Sequence, residues 1–339
     1  MKILLTGATG FLGKHLLEIL LNDERISSID IVSRRKRTHP SAKAKTISID
    51  LSDPSSVNDL TDDFNAVIHL AGLYDFRESL SNDYSQNVLP TLNLVEKLKE
   101  WNKKRSVPLY FASSYGVGFG IRAGVAEEPL IELPSKRVPY AYTKAIAERA
   151  ITDAKIPGAI FRLGILVGSS KTGAIEKIDG PYALMKALQG YKSSRIAQTI
   201  PVIPIPAKRA GILPLVPVDV AAEVFHEAVF RNSGMSEPAR IFGVYESTSV
   251  EISRFCEFIV AAFTPWAKPL YLEDVPSPAL KVQEFLTGIP HQTFMFSLEP
   301  IDLRNERFVS EYSSFRIPHF DTYRNVFLKG FEDFSGGRF

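Results

Sequence analysis

Tyr140 and Lys144 close the stretch "YAYTK" (140–144) four residues apart. On a helix that spacing puts both on one face, one turn from each other. A free phenol, with a pKa of about 10, is a poor acid or base at neutral pH. A lysine cation one turn away favours phenolate and brings the tyrosine toward acid–base chemistry. Tyr142 is offset by two residues and faces elsewhere. The stretch "PLYFASS" (108–114) ends in a second polar pair, Ser113 and Ser114. A hydroxyl at such a strand end can hold a carbonyl oxygen beside the tyrosine. The other serine, Ser113, is expected to cap the strand end.

A third group of residues suits phosphate. In "TGATGFLG" (6–13), Gly7, Gly10 and Gly13 follow an apolar run and open a helical pattern. The spacing is one residue wider at its start than the usual dinucleotide fingerprint, but the physics is shared. Gly7 can take a turn conformation closed to other residues, Gly10 admits a pyrophosphate to the backbone, and Gly13 lets the helix lie close to its strand. With Thr6, Thr9, Phe11 and Leu12 they are expected to bind a dinucleotide at the helix N-terminus. An acidic residue after the second strand would prefer NAD, whereas this strand runs into "SRRKR" (33–37). Ser33, Arg34 and Arg35 offer donors and charge for a 2′-phosphate, so NADP(H) is the expected cofactor. Lys36 and Arg37 are read as solvated, and Asp50 and Leu51 as neighbours of the adenine.

The elements that must carry these residues alternate. Strands are expected at 2–6, 29–32, 45–50, 65–72, 108–114 and 158–168, with helices at 11–21, 87–101 and 140–151. Apolar strands separated by helices imply a parallel sheet covered on both faces, with its ligand beyond the strands' carboxyl ends. The fold class is therefore α/β, a Rossmann-like doubly wound parallel sheet with a smaller C-terminal substrate-binding lobe. The expected division is a nucleotide-binding domain over 1–168 and a mostly substrate-binding lobe over 169–339, with 213–246 returning to the sheet. The proline-rich stretch at 200–217 cannot be a regular helix. Helices at 218–230 and 250–263 and a strand at 240–246 follow, then a tail dense in Phe and Pro.

Composition narrows the class. The chain has 339 residues, 45% hydrophobic and 23% charged, as in an ordinary globular protein. A net charge of +2 gives no argument for nucleic acid or a membrane surface. One cysteine, Cys256, excludes an internal disulfide and a thiolate metal cluster, and six scattered histidines give no zinc pattern. The opening run "ILL" breaks at Thr6-Gly7, too soon for a signal peptide, and no stretch is long enough to span a membrane. A cytoplasmic location is expected.

Taken in order and spacing, "TGATGFLG", "HLAG", "FASSYGVG" and "YAYTK" resemble the extended short-chain dehydrogenase/reductase superfamily over residues 1 to 230. The resemblance implies that Ser114 polarises the substrate, Tyr140 is the general acid, and Lys144 binds the nicotinamide ribose while lowering the tyrosine pKa. It further implies cofactor contacts from His69, Leu70, Ala71, Ala112, Arg162 and Leu163, and a possible homodimer. Two departures stand out. Gly118 replaces the aromatic that often follows the valine, and Tyr115-Gly116 replaces the acidic pair of sugar-nucleotide dehydratases. The segments 69–76, 167–188 and 213–224 are similar to the acyl-thioester reductases of the male-sterility type. That similarity implies hydride transfer from NADPH to a carbonyl or acyl-thioester carbon of a hydrophobic substrate. The alternatives are a nucleotide-sugar epimerase or dehydratase holding NAD tightly, and a non-catalytic NADP sensor.

Overall fold

The computed structural model describes residues 1–35, 39–121, 127–195, 197–231, 237–246, 250–299, 301 and 303–336. Lys36 and Arg37 lie outside them. The first half alternates strand and helix: β1 (Lys2–Thr6), α1 (Phe11–Asn22), β2 (Ser28–Ser33), β3 (Ala44–Ser48), α2 (Pro54–Val57) and β4 (Ala66–His69). It continues with α3 (Leu80–Asp83), α4 (Leu89–Asn102), β5 (Leu109–Ser114), α5 (Pro139–Asp153), β6 (Gly158–Leu163) and β7 (Ile165–Val167). The second half holds α6 (Pro181–Ser193), β8 (Val202–Ile205), β9 (Leu215–Pro217), α7 (Val218–Arg231), β10 (Arg240–Val244) and α8 (Ile252–Phe263). It ends with β11 (Lys268–Tyr271), α9 (Ser277–Thr287), α10 (His291–Leu298), α11 (Glu306–Glu311) and α12 (Phe320–Gly336).

Seven strands form one parallel sheet in the order β10-β6-β5-β4-β1-β2-β3. Period-two alternation decides what each face receives. Ile3 and Leu5 of β1 pack with Leu12, Leu16 and Leu20 of α1 and with Phe225 and Ala228 of α7. Leu4, between them, packs with Leu94 and Leu98 of α4 and with Ala147 and Ile151 of α5 on the other face. Leu12, Leu16 and Leu20 recur every fourth residue and so form one stripe on α1. Each such leucine, fully buried, contributes about 1.5–3 kcal/mol. The expected doubly wound Rossmann-like sheet is the one observed. Its strand order reverses between β1 and β4, and a crevice opens there beyond their carboxyl ends.

The expected strand 158–168 is two strands. A Cβ at Gly164 would overlap the Pro214 carbonyl, and at this close approach the chain leaves the sheet: β6 ends and β7 pairs with β9. The proline-rich stretch supplies β8 and β9, and β8 pairs with β11. A second core forms beside the sheet, where Tyr182, Phe255, Ile259, Phe327 and Phe331 pack together. The Phe-rich tail therefore serves largely as core. Residues 84–88 form a π-helical turn ahead of α4. Its Asn87 side chain accepts from the Leu73 N–H at 2.6 Å and donates to the Leu73 carbonyl at 3.2 Å. That exchange pins the loop after β4 over the crevice. Among the described residues no helix is long and apolar enough to cross a membrane, and no three His, Cys, Asp or Glu side chains cluster so as to hold a metal ion.

Candidate active site

A cavity of about 880 Å³ runs from the glycine bend, past the ends of β4, β5 and β6, into the second core. The bend sits at the reversal of strand order. Gly7 has φ +73, and a Cβ there would lie 2.6 Å from the Ala71 nitrogen, so β1 and the loop after β4 meet too closely for any side chain. A Cβ at Gly13 would overlap the Gly7 carbonyl. Gly10 caps α1 without a side-chain hydrogen bond, leaving the first N–H groups of the helix for an anion. Gly7, Gly10, Phe11, Leu12 and Gly13 all line the cavity. This cradle fits the diphosphate of a dinucleotide.

The reacting groups gather at the end of β5. Pro139 begins α5, and its first turn carries Tyr140. Ser114, Tyr140 and Lys144 all line the cavity. The Ser114 hydroxyl neighbours the Tyr140 phenol and accepts from the Gly116 N–H at 3.1 Å, capping the turn Tyr115–Gly118. Lys144 donates to the Ala112 carbonyl at 2.7 Å. Ser113 turns to the other face and donates to Glu148 at 2.8 Å.

The electrostatics correct one expectation. Burial pushes the Tyr140 phenol up to about 12, and the neighbouring Ser114 hydroxyl only partly offsets it. Burial also pulls Lys144 down to about 8, against the raising effect of Glu148. In a low-dielectric site desolvation disfavours both charged forms, so the lysine does not lower the phenol below its ordinary value.

The remaining expected residues separate into groups. Leu70, Ala112 and Leu163 line the cavity. His69 does not: it is fully buried between the Thr6 and Thr91 hydroxyls at 2.7 and 3.1 Å, and burial pulls its pKa down to about 3. Thr6 also accepts from the Ala71 N–H at 3.1 Å, so these residues brace the bend from beneath. Thr9 is exposed at the bend. Arg162 is turned away from the cavity, fully buried and ion-paired with Glu148. On β6 it alternates with Phe161 and Leu163, so when Leu163 faces the cavity Arg162 must face α5. Arg34 and Arg35 are exposed at the end of β2, where Arg34 donates to Gln86 at 3.2 Å and lies near Asp50. Ser33 accepts from the Arg35 N–H at 3.3 Å, while Leu51 is buried in the sheet's second face.

Aromatic residues that spacing alone did not single out complete the site. The Tyr74 ring meets Tyr140 edge-on at 5.0 Å, Phe76 meets it at 5.8 Å, and Phe296 from α10 stacks on Phe76 at 5.6 Å. Across the mouth, Lys14 of α1 pairs with Glu176 at 2.8 Å. The sequence signal for Tyr74 and Phe76 was their place just after "HLAG"; Phe296 gave none, because it arrives from a distant part of the chain.

Residues 3–194 match the model of the NAD dependent epimerase/dehydratase family. The chain is 27% identical over 312 residues to fatty acyl-CoA reductase 1 of Gallus gallus, covering 73% of this chain and 58% of that protein. It is 28% identical over 263 residues to a hybrid PKS-NRPS synthetase of Trichoderma harzianum, covering 72% of this chain and 6% of the synthetase. The chain thus spans under two thirds of these relatives. In fold it is similar to the terminal R domain from the myxalamid PKS-NRPS biosynthetic pathway, with a TM-score of 0.75, 20% identity, and coverage of 99% of this chain and 91% of that one. The chain belongs to the NAD-dependent epimerase/dehydratase family, within the extended short-chain dehydrogenase/reductases.

Proposed function

We propose that this member of the family is an NADPH-dependent reductase of an apolar aldehyde or acyl thioester. The observation that carries the reading is the meeting of Ser114 and Tyr140 on a largely apolar cavity that is continuous with the glycine bend. NADPH, when bound, supplies the hydride. The chain's own residues do the rest. Ser114 and Tyr140 hold the carbonyl oxygen, and Tyr140 gives it a proton as negative charge develops. A phenol held at about 12 is fully protonated at neutral pH, which suits a donor better than a base. Lys144 holds the ribose and, as a cation, stabilises the phenolate left behind. Tyr74, Phe76 and Phe296 keep water from the reacting carbon. Arg34, at the end of β2 where the acidic residue of NAD enzymes would stand, pairs with the 2′-phosphate.

The apolar substrate class rests on the walls, where Ile203, Ile205, Phe255 and Phe296 face the cavity. A nucleotide-sugar epimerase is the second reading, because the family includes such enzymes. Tyr115 and Gly116 in place of an acidic pair, and Arg34 after β2, favour the reductase. The test is NADPH oxidation measured across long-chain acyl-CoAs, aldehydes, flavanone-like ketones and sugar nucleotides. Acyl-CoAs or aldehydes are expected to accelerate it. Turnover of a sugar nucleotide by protein that retains NAD would overturn the reading.

A further inference from the structure

Two polar groups from different loops face the largely apolar cavity without spending their hydrogen bonds inside the chain. Tyr74, after β4, and Asp179, before α6, both line it. The Tyr74 ring stands 5.0 Å from that of Tyr140, and a Cβ at Gly180 would lie 4.0 Å from the Tyr74 hydroxyl. The phenol therefore reaches from the reacting group to the neighbour of Asp179. Among the described residues that hydroxyl makes no hydrogen bond, and the Asp179 carboxylate meets only Lys177, whose ammonium lies 2.5 Å from Oδ2. Its Oδ1 is left open to the cavity.

The geometry of this pair is held by its neighbours. Lys177 donates to the Tyr74 carbonyl at 3.2 Å and sits 4.6 Å over its ring, and Glu176 beside it pairs with Lys14 at 2.8 Å. Asp75, the other carboxylate nearby, accepts from the Arg77 N–H at 2.9 Å. Lys177 already balances Asp179, so the pair favours a neutral ligand group. Burial and the Asp179 charge hold the Tyr74 phenol well above its ordinary range, so it stays a donor. A bare alkyl chain laid across these atoms would take water from both and return no hydrogen bond. Each polar group so stranded costs about tenfold in affinity.

We propose that Tyr74 and Asp179 form a polar subsite for a neutral group that both donates and accepts a hydrogen bond, a hydroxyl or a secondary amide, a few bonds from the reacting carbonyl. Asp179 Oδ1 accepts from the O–H or N–H of that group, and the Tyr74 hydroxyl donates to its oxygen. The substrate is then an apolar chain with one polar group near its carbonyl, either a hydroxyl on the acyl side or an amide on the thiol side of a thioester. A site built to pair such a group rejects analogues that lack it, because its own polar atoms are left unpaired. This subsite rests on the proposed reductase, but binding is measured without turnover, so the two can fail separately.

The test is calorimetric titration of the full chain with two pairs of ligands. One pair is the decanoyl thioesters of N-acetylcysteamine and of pentanethiol, which differ in the amide. The other is decane-1,3-diol and decan-1-ol, which differ in the second hydroxyl. In one pair the ligand with the extra polar group is expected to bind the wild type about tenfold more tightly. The pair that shows it tells on which side of the carbonyl the group sits. Tyr74→Phe and Asp179→Leu should each bring that ratio close to one. A residue that only supported the fold would weaken both members of a pair alike and leave the ratio as it was. Wild type that binds both members of each pair equally, or a ratio that survives either substitution, overturns the proposal. So does a fall in NADPH affinity with the ratio intact, which would assign the pair to the cofactor. Discrimination between the ligands without any NADPH oxidation would remove the reductase and leave the subsite, whereas no binding of any of the four removes both.

Discussion

Lys144 donates to the Ala112 carbonyl at 2.7 Å, and its ammonium lies 4.7 Å from the centre of the Phe111 ring. Both contacts favour the cation, yet burial still pulls it down to about 8. The ammonium is therefore intact below that value and lost as pH rises through it. Tyr140, held at about 12, stays protonated over the same range, so any limb near 8 belongs to the lysine. With the cation required, kcat/KM for reduction should fall about tenfold per pH unit above that point. A pH–rate profile on the wild type checks this, and a profile flat through that region would exclude the role.

Tyr140→Phe keeps the ring that packs on Tyr74 and Phe76 and removes only the proton donor. Reduction should fall by about two to four orders of magnitude. NADPH affinity, followed by fluorescence titration, should be nearly unchanged. An active Phe variant would mean that the acid is another group.

Arg34 is exposed, donates to Gln86 and lies near Asp50, so it is placed to meet a phosphate without first breaking a buried pair. Arg34→Ala should weaken NADPH binding by about 1.5–3 kcal/mol, the range of a hydrogen bond to a charged group. NADH binding should change little. Equal losses for both cofactors in calorimetric titrations would remove the 2′-phosphate role.

Glu148 and Arg162 are both fully buried and satisfy each other across α5 and β6. Removing one partner strands a charge in the core. Glu148→Ala should lower stability by about 3–5 kcal/mol, read by urea unfolding. A loss no larger than that of an exposed carboxylate would show that Arg162 finds another partner.

The parts of the site that local geometry fixes were legible in the sequence. Gly7, Gly10 and Gly13 need only their own bend, and Tyr140 and Lys144 only one helical turn. Arg162 was misplaced because its position at a strand's end was read without the alternation that turns it toward Glu148. The phenol was expected to shift downward because charge was weighed without desolvation, and desolvation is the larger effect here. Phe296 reaches Phe76 from a segment over two hundred residues away, a pairing that only the packing of α10 against the loop after β4 establishes. The fold was the easier inference, because alternating apolar strands and helices leave few topologies, whereas the break at Gly164 depends on a tertiary approach to Pro214.

Asp83, the last residue of α3, is buried beside the π-helical turn, and its Oδ1 has no hydrogen-bond partner among the described residues. Burial, with the Glu78 and Asp75 carboxylates nearby, pushes it from 3.8 up to about 6. Below the lower value the carboxyl is protonated in both folded and unfolded chains, so it costs nothing. Between about 3.8 and about 6 the unfolded chain has given up this proton while the folded one still holds it, so stability is lost across that window and the loss is complete above about 6. Asp83→Asn removes the charge at nearly constant shape. The variant should therefore be more stable than wild type by about 2 kcal/mol at neutral pH, and the gain should vanish below the ordinary carboxylate range. Urea unfolding of both proteins across that window checks it. A gain that persists in acid would trace the effect to packing, and a loss at neutral pH would mean that the Asp83 carboxylate has a partner worth more than its burial costs.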